Sequence, residues 1–316
     1  MDMNIYDSFQ KPIISLAPME DVTDTVFRQI VLSIKRPDIF YTEFVNVEGL
    51  NSDGRESVIH RLKYDPIEKP IIAQLWGVEP KNFFEGAKLV KDLGFDGVDI
   101  NMGCAVKKVT SKYAGIGMVN ADRGLVKDII QSVKDGANGL PVSVKTRLGW
   151  KDYDMGWIQF LLEQDLDVLT IHARTAIGFR AKKINWGRVL ASVQLRDEMN
   201  KKTLIFGNGE IQSLTDARKH VKKFSVDGVM IGRAAINNPW VFSDEKDFPV
   251  SESYEMFKKH IQLFNSVWGN TKDFNMLKKF VRSYVSGFVG SQEIRTELME
   301  TKSIEELLSK VERLTT

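Results

Sequence analysis

The sequence predicts an α/β protein: a (β/α)8 TIM barrel followed by a small all-helical C-terminal domain. Three observations carry that expectation. Eight short apolar runs, most of them rich in Val and Ile, recur at 12–16, 39–42, 71–75, 97–101, 142–146, 168–172, 203–207 and 228–231. Runs of that length, apolar on both faces, suit a buried parallel sheet. Longer amphipathic stretches such as 80–93, 125–134 and 214–224 alternate with them, which is the mark of repeated βα units. After the polar stretch SDEKDFP at 243–249, only helical periodicity remains, at 251–268, 276–289 and 304–314. The expected division is a barrel over 1–242, a linker over 243–250 and a helical domain over 251–316. A doubly wound sheet is disfavoured, because no Gly-x-Gly-x-x-Gly follows the first run.

Taken in order, each run ends on a polar or flexible group. The first leads into Ala17, Pro18, Met19 and Glu20, and the second into Glu43. The third contains Gln74; Pro80 then suits a first helical turn and Gly94 a helix end. The fourth closes on Asn101, three residues before Cys104, and the fifth holds Lys145 and is followed by Arg147. The sixth ends on His172, with Arg174 next; the seventh leads into Asn208, Gly209 and Glu210, and the eighth into Gly232 and Arg233. In a barrel of this kind the C-terminal strand ends form the active-site rim. Scattered surface polarity would not favour one end of every strand.

Composition bounds the rest. The chain has 316 residues, 43% hydrophobic and 27% charged, with 44 Lys and Arg against 42 Asp and Glu. A net charge of +2 neither announces nor excludes a nucleic-acid partner, since a basic face can hide inside a neutral average. The single cysteine allows no intrachain disulfide and points to a reducing, cytoplasmic setting. No signal-type h-region opens the chain, and no apolar run approaches the ~20 residues of a membrane span. The four histidines, at 60, 172, 220 and 260, show no metal-ligand spacing. A monomer is expected.

The last two strand ends combine glycines with a permanent cation. Close backbone approach and a guanidinium are what a phosphate needs, and the loops after strands seven and eight are its usual place. The plainer alternative is that the glycines only make tight turns. Lys145 and His172, on adjacent strands, are placed to serve a planar cofactor that gains electrons, and Gln74 to pair with its ring edge. Cys104, read alone, fits a small inert hydrophobe better than a reactive group.

The ordered set of motifs changes that reading. The runs LAPMEDVTD (16–24), YTEF (41–44), AQLWG (73–77), GVDINMGC (97–104), VSVKTRLG (142–149), LTIHART (169–175), FGNGEI (206–211), GVMIGR (228–233), NPW (238–240) and KKFVRSYVSG (278–287) resemble the tRNA-dihydrouridine synthases, flavin enzymes that reduce uridines in tRNA. The resemblance spans most of the barrel and reaches into the tail. It implies tightly bound FMN held by Pro18, Met19, Glu20, Gln74, Lys145, His172, Asn208, Gly209, Glu210, Gly232 and Arg233, with NADPH as reductant. It implies Cys104 as the acid that protonates uracil C5, assisted by Lys145 and His172. Asn101, Arg147, Arg174, Phe179 and Arg180 would meet the substrate, a D-loop uridine flipped into the barrel mouth. The motif neighbourhoods lean to the U16-type branch. Two departures stand out: Ala105 replaces the family's proline and frees the backbone there, and Phe179 in GFRA lacks the hydroxyl of a GYRA variant.

Reducing the C5–C6 bond takes a hydride and a proton. A cysteine with an ordinary pKa near ~8.5 is mostly protonated at neutral pH and suits the proton's source. Grip on RNA is expected from the tail, where residues 258–295 hold seven basic residues, among them Lys278, Lys279 and Arg282, against two acidic ones, a net +5. The rival readings are a flavin barrel that reduces a free pyrimidine or another small conjugated substrate, and an RNA-binding protein with a vestigial flavin site.

Overall fold

The structure, a computed structural model, describes residues 4–177, 184–244 and 248–315. Eight parallel strands appear where the sequence places them: β1 (Ile13–Leu16), β2 (Phe40–Asn46), β3 (Ile71–Trp76), β4 (Gly97–Met102), β5 (Val142–Arg147), β6 (Val168–His172), β7 (Leu204–Asn208) and β8 (Gly228–Ile231). They pair in the order β1-β8-β7-β6-β5-β4-β3-β2. The ring closes between β1 and β2 through the Ser15–Ile39 bridge, where Leu16 N–H donates to the Ile39 carbonyl at 3.2 Å. β2 runs farther than its apolar stretch suggests: after a register shift between Tyr41 and Phe44, the residues Phe44, Val45 and Asn46 pair again with β3.

Two apolar regions hold the barrel together. Tyr6, Ile39, Tyr41, Ile72, Val168, Phe206 and Met230 fill its interior, so the barrel is a packed core rather than a pore. A second region lies between the strands and the surrounding helices. Polar N-caps start several of those helices. The Asp24 side chain accepts from Phe27 N–H ahead of Thr25–Ile34, Asp122 from Leu125 N–H ahead of Arg123–Ala137, and Ser213 from Asp216 N–H ahead of Leu214–Phe224. Each satisfies a backbone donor that the first helical turn leaves open.

Beyond residue 248 the chain is helical, as expected, with one correction. The stretch 276–289 is not one helix: it forms a 3-10 segment, Phe274–Phe280, a single α turn, Val281–Tyr284, and then a turn with Gly287 and Gly290 at φ +88° and +87°. Left-handed backbone at those glycines ends helical continuation. A further helix, Ser291–Met299, precedes Ile304–Thr315. The tail shares the barrel's outer apolar core, with the Phe27 and Phe280 rings stacked 5.0 Å apart between the helix Thr25–Ile34 and the tail.

Candidate active site

Two adjoining cavities open at the C-terminal strand ends, and Pro18, Lys145 and Arg147 line both. The first, about 480 Å³, lies over β6, β7 and β8 and is bounded by Met19, His172, Asn208, Gly209, Glu210, Gly232 and Arg233 among others. The second, about 380 Å³, lies toward β2, β3 and β4 and is bounded by Phe44, Gln74, Asn101, Cys104, Ala105, Val106 and Ala176. Strand register brings these groups together. Asn101 stands opposite Lys145, Arg147 opposite His172, and His172 opposite Asn208.

Part of the first cavity's lining is basic side chains with no partner among the described residues. Among the described residues, Lys145, His172 and Arg233 have no side-chain hydrogen bond or ion pair. Burial, and then the neighbouring Arg147 charge, push the Lys145 ammonium down to about 8. Burial also pushes His172 well below the usual imidazole range, with Arg147 and Lys145 adding to the effect, so its ring is neutral. Gly209 sits at φ +129°, and a Cβ there would come within 2.3 Å of Ile184 and 3.1 Å of the His172 ring. Glycine therefore lets the loop approach closely and leaves the imidazole its place.

The second cavity is built around a pinned turn. The Asn101 side-chain oxygen accepts from Gly103 N–H at 3.1 Å and Cys104 N–H at 2.9 Å. Arg147 Nε donates to the Gly103 carbonyl at 2.6 Å, and Ile116 N–H to the Cys104 carbonyl at 3.0 Å. Gly115, at φ +56°, packs on Cys104 so closely that a Cβ would lie 2.6 Å from the Cys104 oxygen. The peptide groups before and after the thiol are therefore hydrogen-bonded even with Ala105 in place of proline. Cys104 is half-buried, and burial raises its thiol above the usual value. It is a protonated acid at neutral pH rather than a thiolate.

Several expected residues lie elsewhere or are already engaged. Glu20 does not line either cavity; it pairs with Arg61 at 2.7 Å. Arg174 is ion-paired with Glu210, at the cavity wall. Gln74 is fully buried with its amide engaged at both ends, donating to Asp99 and accepting from Asn101. Lys278 and Arg282 line a separate groove on the tail, together with Arg295. Lys278 donates to the Thr301 carbonyl, and Lys279 donates across to the Asp21 carbonyl in the barrel. Phe179 and Arg180 lie outside the described residues.

The sequence reading passed over Asp99, fully buried beneath Gln74. A carboxylate inside an apolar strand run was the available signal. It also passed over the outer rim, where Val106 and Tyr113 are each 61% exposed beside Lys107, Lys108 and Lys112.

The family profile described as "Dihydrouridine synthase (Dus)" matches residues 15–316. "Probable tRNA-dihydrouridine synthase" of Staphylococcus aureus (strain MRSA252) is 39% identical over 311 residues, 97% of this chain and 94% of the relative. "Probable tRNA-dihydrouridine synthase 2" of Bacillus subtilis (strain 168) is 38% identical over 312 residues, 97% and 95% of the two chains. Among solved structures, morphinone reductase has a similar fold at a TM-score of 0.52 and 14% identity, over 72% of this chain and 83% of that one. The old yellow enzyme homologue from Zymomonas mobilis is similar at 0.51 and 14%, over 75% and 90%. At that identity the likeness speaks to the barrel fold alone.

Proposed function

The chain belongs to the dihydrouridine synthase family, and on that premise we propose that it reduces a D-loop uridine of tRNA to 5,6-dihydrouridine, with FMN as cofactor and NADPH as reductant. The observation that carries this is the pairing of the two cavities. Three basic side chains with no partner among the described residues line one, a protonated thiol lines the other, and Lys145 belongs to both.

The residues present fit FMN. An ammonium partly withdrawn from water, with no partner among the described residues, is costly and calls for an anion or carbonyl oxygen. Lys145 and neutral His172 supply that demand where a pyrimidine-dione ring would lie. Arg233 and the glycine loops at 209 and 232 suit the phosphate. When bound, the flavin supplies the hydride that goes to uracil C6.

The protein supplies the other half. Cys104 holds a proton for C5 on a thiol that burial keeps protonated. Its turn is fixed by Asn101, Arg147 and Ile116, so the acid is held in place before substrate arrives. Asn101 and Gln74 each keep one amide N–H with no partner among the described residues and line the same cavity, which suits the carbonyl oxygens of a uracil. A uridine in folded tRNA must leave its stack to enter. The exposed Tyr113 and the lysines beside it would meet RNA at the rim, and the basic tail groove would meet phosphates farther out.

The test is direct. The purified protein should carry flavin colour, lose it on addition of NADPH, and form dihydrouridine in tRNA transcripts but not in free uridine. Equal turnover of free uridine would favour the small-substrate reductase. Mapping the product by mass in tRNA from a deletion strain would identify the position, with U16 expected.

A further inference from the structure

The carboxylate of Asp99, which neither cavity exposes, stands at one end of a buried hydrogen-bond chain. Its Oδ1 accepts from Ser143 Oγ at 2.5 Å and its Oδ2 from Gln74 Nε2 at 2.6 Å. Gln74 Oε1 accepts from Asn101 Nδ2 at 2.9 Å. Asn101 Oδ1 then accepts from the Gly103 and Cys104 amides. All four side chains, Asp99, Ser143, Gln74 and Asn101, are buried.

We propose that Asp99 is a positioning residue that sets the polarity of the Gln74–Asn101 amide pair and, through it, the setting of the Cys104 turn. A side-chain amide is an acceptor at one end and a donor at the other, so two in series can be threaded in either direction. Here both termini of the series are single-valued. A carboxylate only accepts, and a backbone N–H only donates. With Asp99 at the lower end, Gln74 must turn its nitrogen down and its oxygen toward Asn101. Asn101 must then turn its nitrogen toward Gln74 and its oxygen toward Gly103 and Cys104. Reversing either amide sets oxygen against oxygen, or N–H against N–H, in a buried place.

The same constraint decides what the cavity floor offers. The second N–H of Gln74 and of Asn101 remain as donors, so the floor favours a ligand rich in carbonyl oxygens. In this respect the inference rests on the uridine-reductase reading, but the ordering of the turn does not.

The inference predicts a rescue by exchange of charge. Asp99→Asn replaces the acceptor-only terminus by an amide that can donate to Gln74, so the lower end no longer enforces the direction and only the Gly103 and Cys104 amides still do. Asn101→Asp puts acceptor-only groups on both sides of Gln74, which can satisfy only one of them. The double variant Asp99→Asn/Asn101→Asp moves the carboxylate to the other end. The new amide at 99 donates to Gln74 Oε1, Gln74 Nε2 donates to the new carboxylate at 101, and that carboxylate accepts from Gly103 and Cys104. Every group is paired again, with the thread reversed.

Because the chain has one cysteine, labelling with 15N-cysteine yields one backbone signal, that of Cys104. Its amide exchange with solvent reads the turn without flavin turnover or tRNA, so failure of the functional reading leaves this test intact. Each single variant should exchange at least tenfold faster than the parent and react faster with iodoacetamide. The double variant should return to within threefold of the parent. A parent-like rate in Asp99→Asn overturns the proposal, as does a double variant as fast as the singles. If Asp99→Asn does not fold, the comparison is between Asn101→Asp and the double variant. A double variant that exchanges no more slowly, or that itself fails to fold, overturns the proposal.

Discussion

Arg147 Nε donates to the Gly103 carbonyl at 2.6 Å, which ties the end of β5 to the turn that presents Cys104. A cation that lines both cavities is thus also a fastening of the Cys104 turn. Charge and position at this site are supplied by the same side chain.

Removal of the thiol should separate the two halves of the reaction. Cys104→Ala should retain flavin and be reduced by NADPH at the parent rate. Its single-turnover formation of dihydrouridine should fall by about 10²–10⁴-fold, the usual worth of a positioned acid. On the proposed mechanism the acid form is the working form, and burial raises the thiol above its usual value. Activity in the parent should therefore hold through neutral pH and decline only in the alkaline range. A parent-like single-turnover rate in the variant would exclude the acid role.

Lys145 should give flavin binding a pH dependence. Its ammonium is pushed down to about 8, so in the free protein the charge is present below that pH and lost above it. A ligand that prefers the charged form should bind up to about tenfold more weakly for each pH unit above 8. Lys145→Arg keeps its charge and should flatten the profile, whereas Lys145→Met should release flavin at every pH. Fluorescence titration of apoprotein with FMN measures all three.

The joint between barrel and tail should carry its own pH signature. Lys272 lies 3.0 Å from Asp24, 3.7 Å from Glu43 and 4.1 Å from the centre of the Trp268 ring. Burial still raises the Glu43 carboxyl from 4.5 to about 7. The folded protein therefore holds that proton more tightly than the unfolded chain. Stability should fall as pH rises from about 4.5 to 7, by an amount on the order of 3 kcal/mol, and then level off. Glu43→Gln should remove this fall, with a higher melting temperature than the parent at pH 8 and no gain at pH 4.5. Lys272→Ala, which leaves Asp24 and Glu43 without their cation, should destabilise by about 3 kcal/mol at pH 8.

The tail groove is best tested at Arg282. Lys278 and Lys279 are engaged with backbone carbonyls, and Lys279 reaches into the barrel, so reversing either charge would also disturb packing. Arg282 is exposed and lines the groove. Arg282→Glu should weaken tRNA binding at low salt and reduce the slope of log affinity against log salt by about one, with an unchanged melting temperature. Parent-like affinity would remove this groove from the RNA interface.

The sequence by itself determined the barrel and the side of it that carries the candidate site. Apolar runs and helical periodicities are local properties, and all eight strands formed where they lay. The polar residue at each strand end marked the rim because parallel strands all finish on the same face. The tail was legible as helical, but its break after Tyr284 was not, since apolar spacing continued through glycines that the backbone takes left-handed. What only the tertiary structure decided is how side chains far apart in sequence share partners. Glu20 turned to Arg61, Glu43 met Lys272 across more than 200 residues, and Asp99 came to stand under Gln74 and Asn101. Periodicity carries no record of such pairings. They arise because burial strips water from each polar group and leaves it to find whichever neighbour the closed barrel brings within reach.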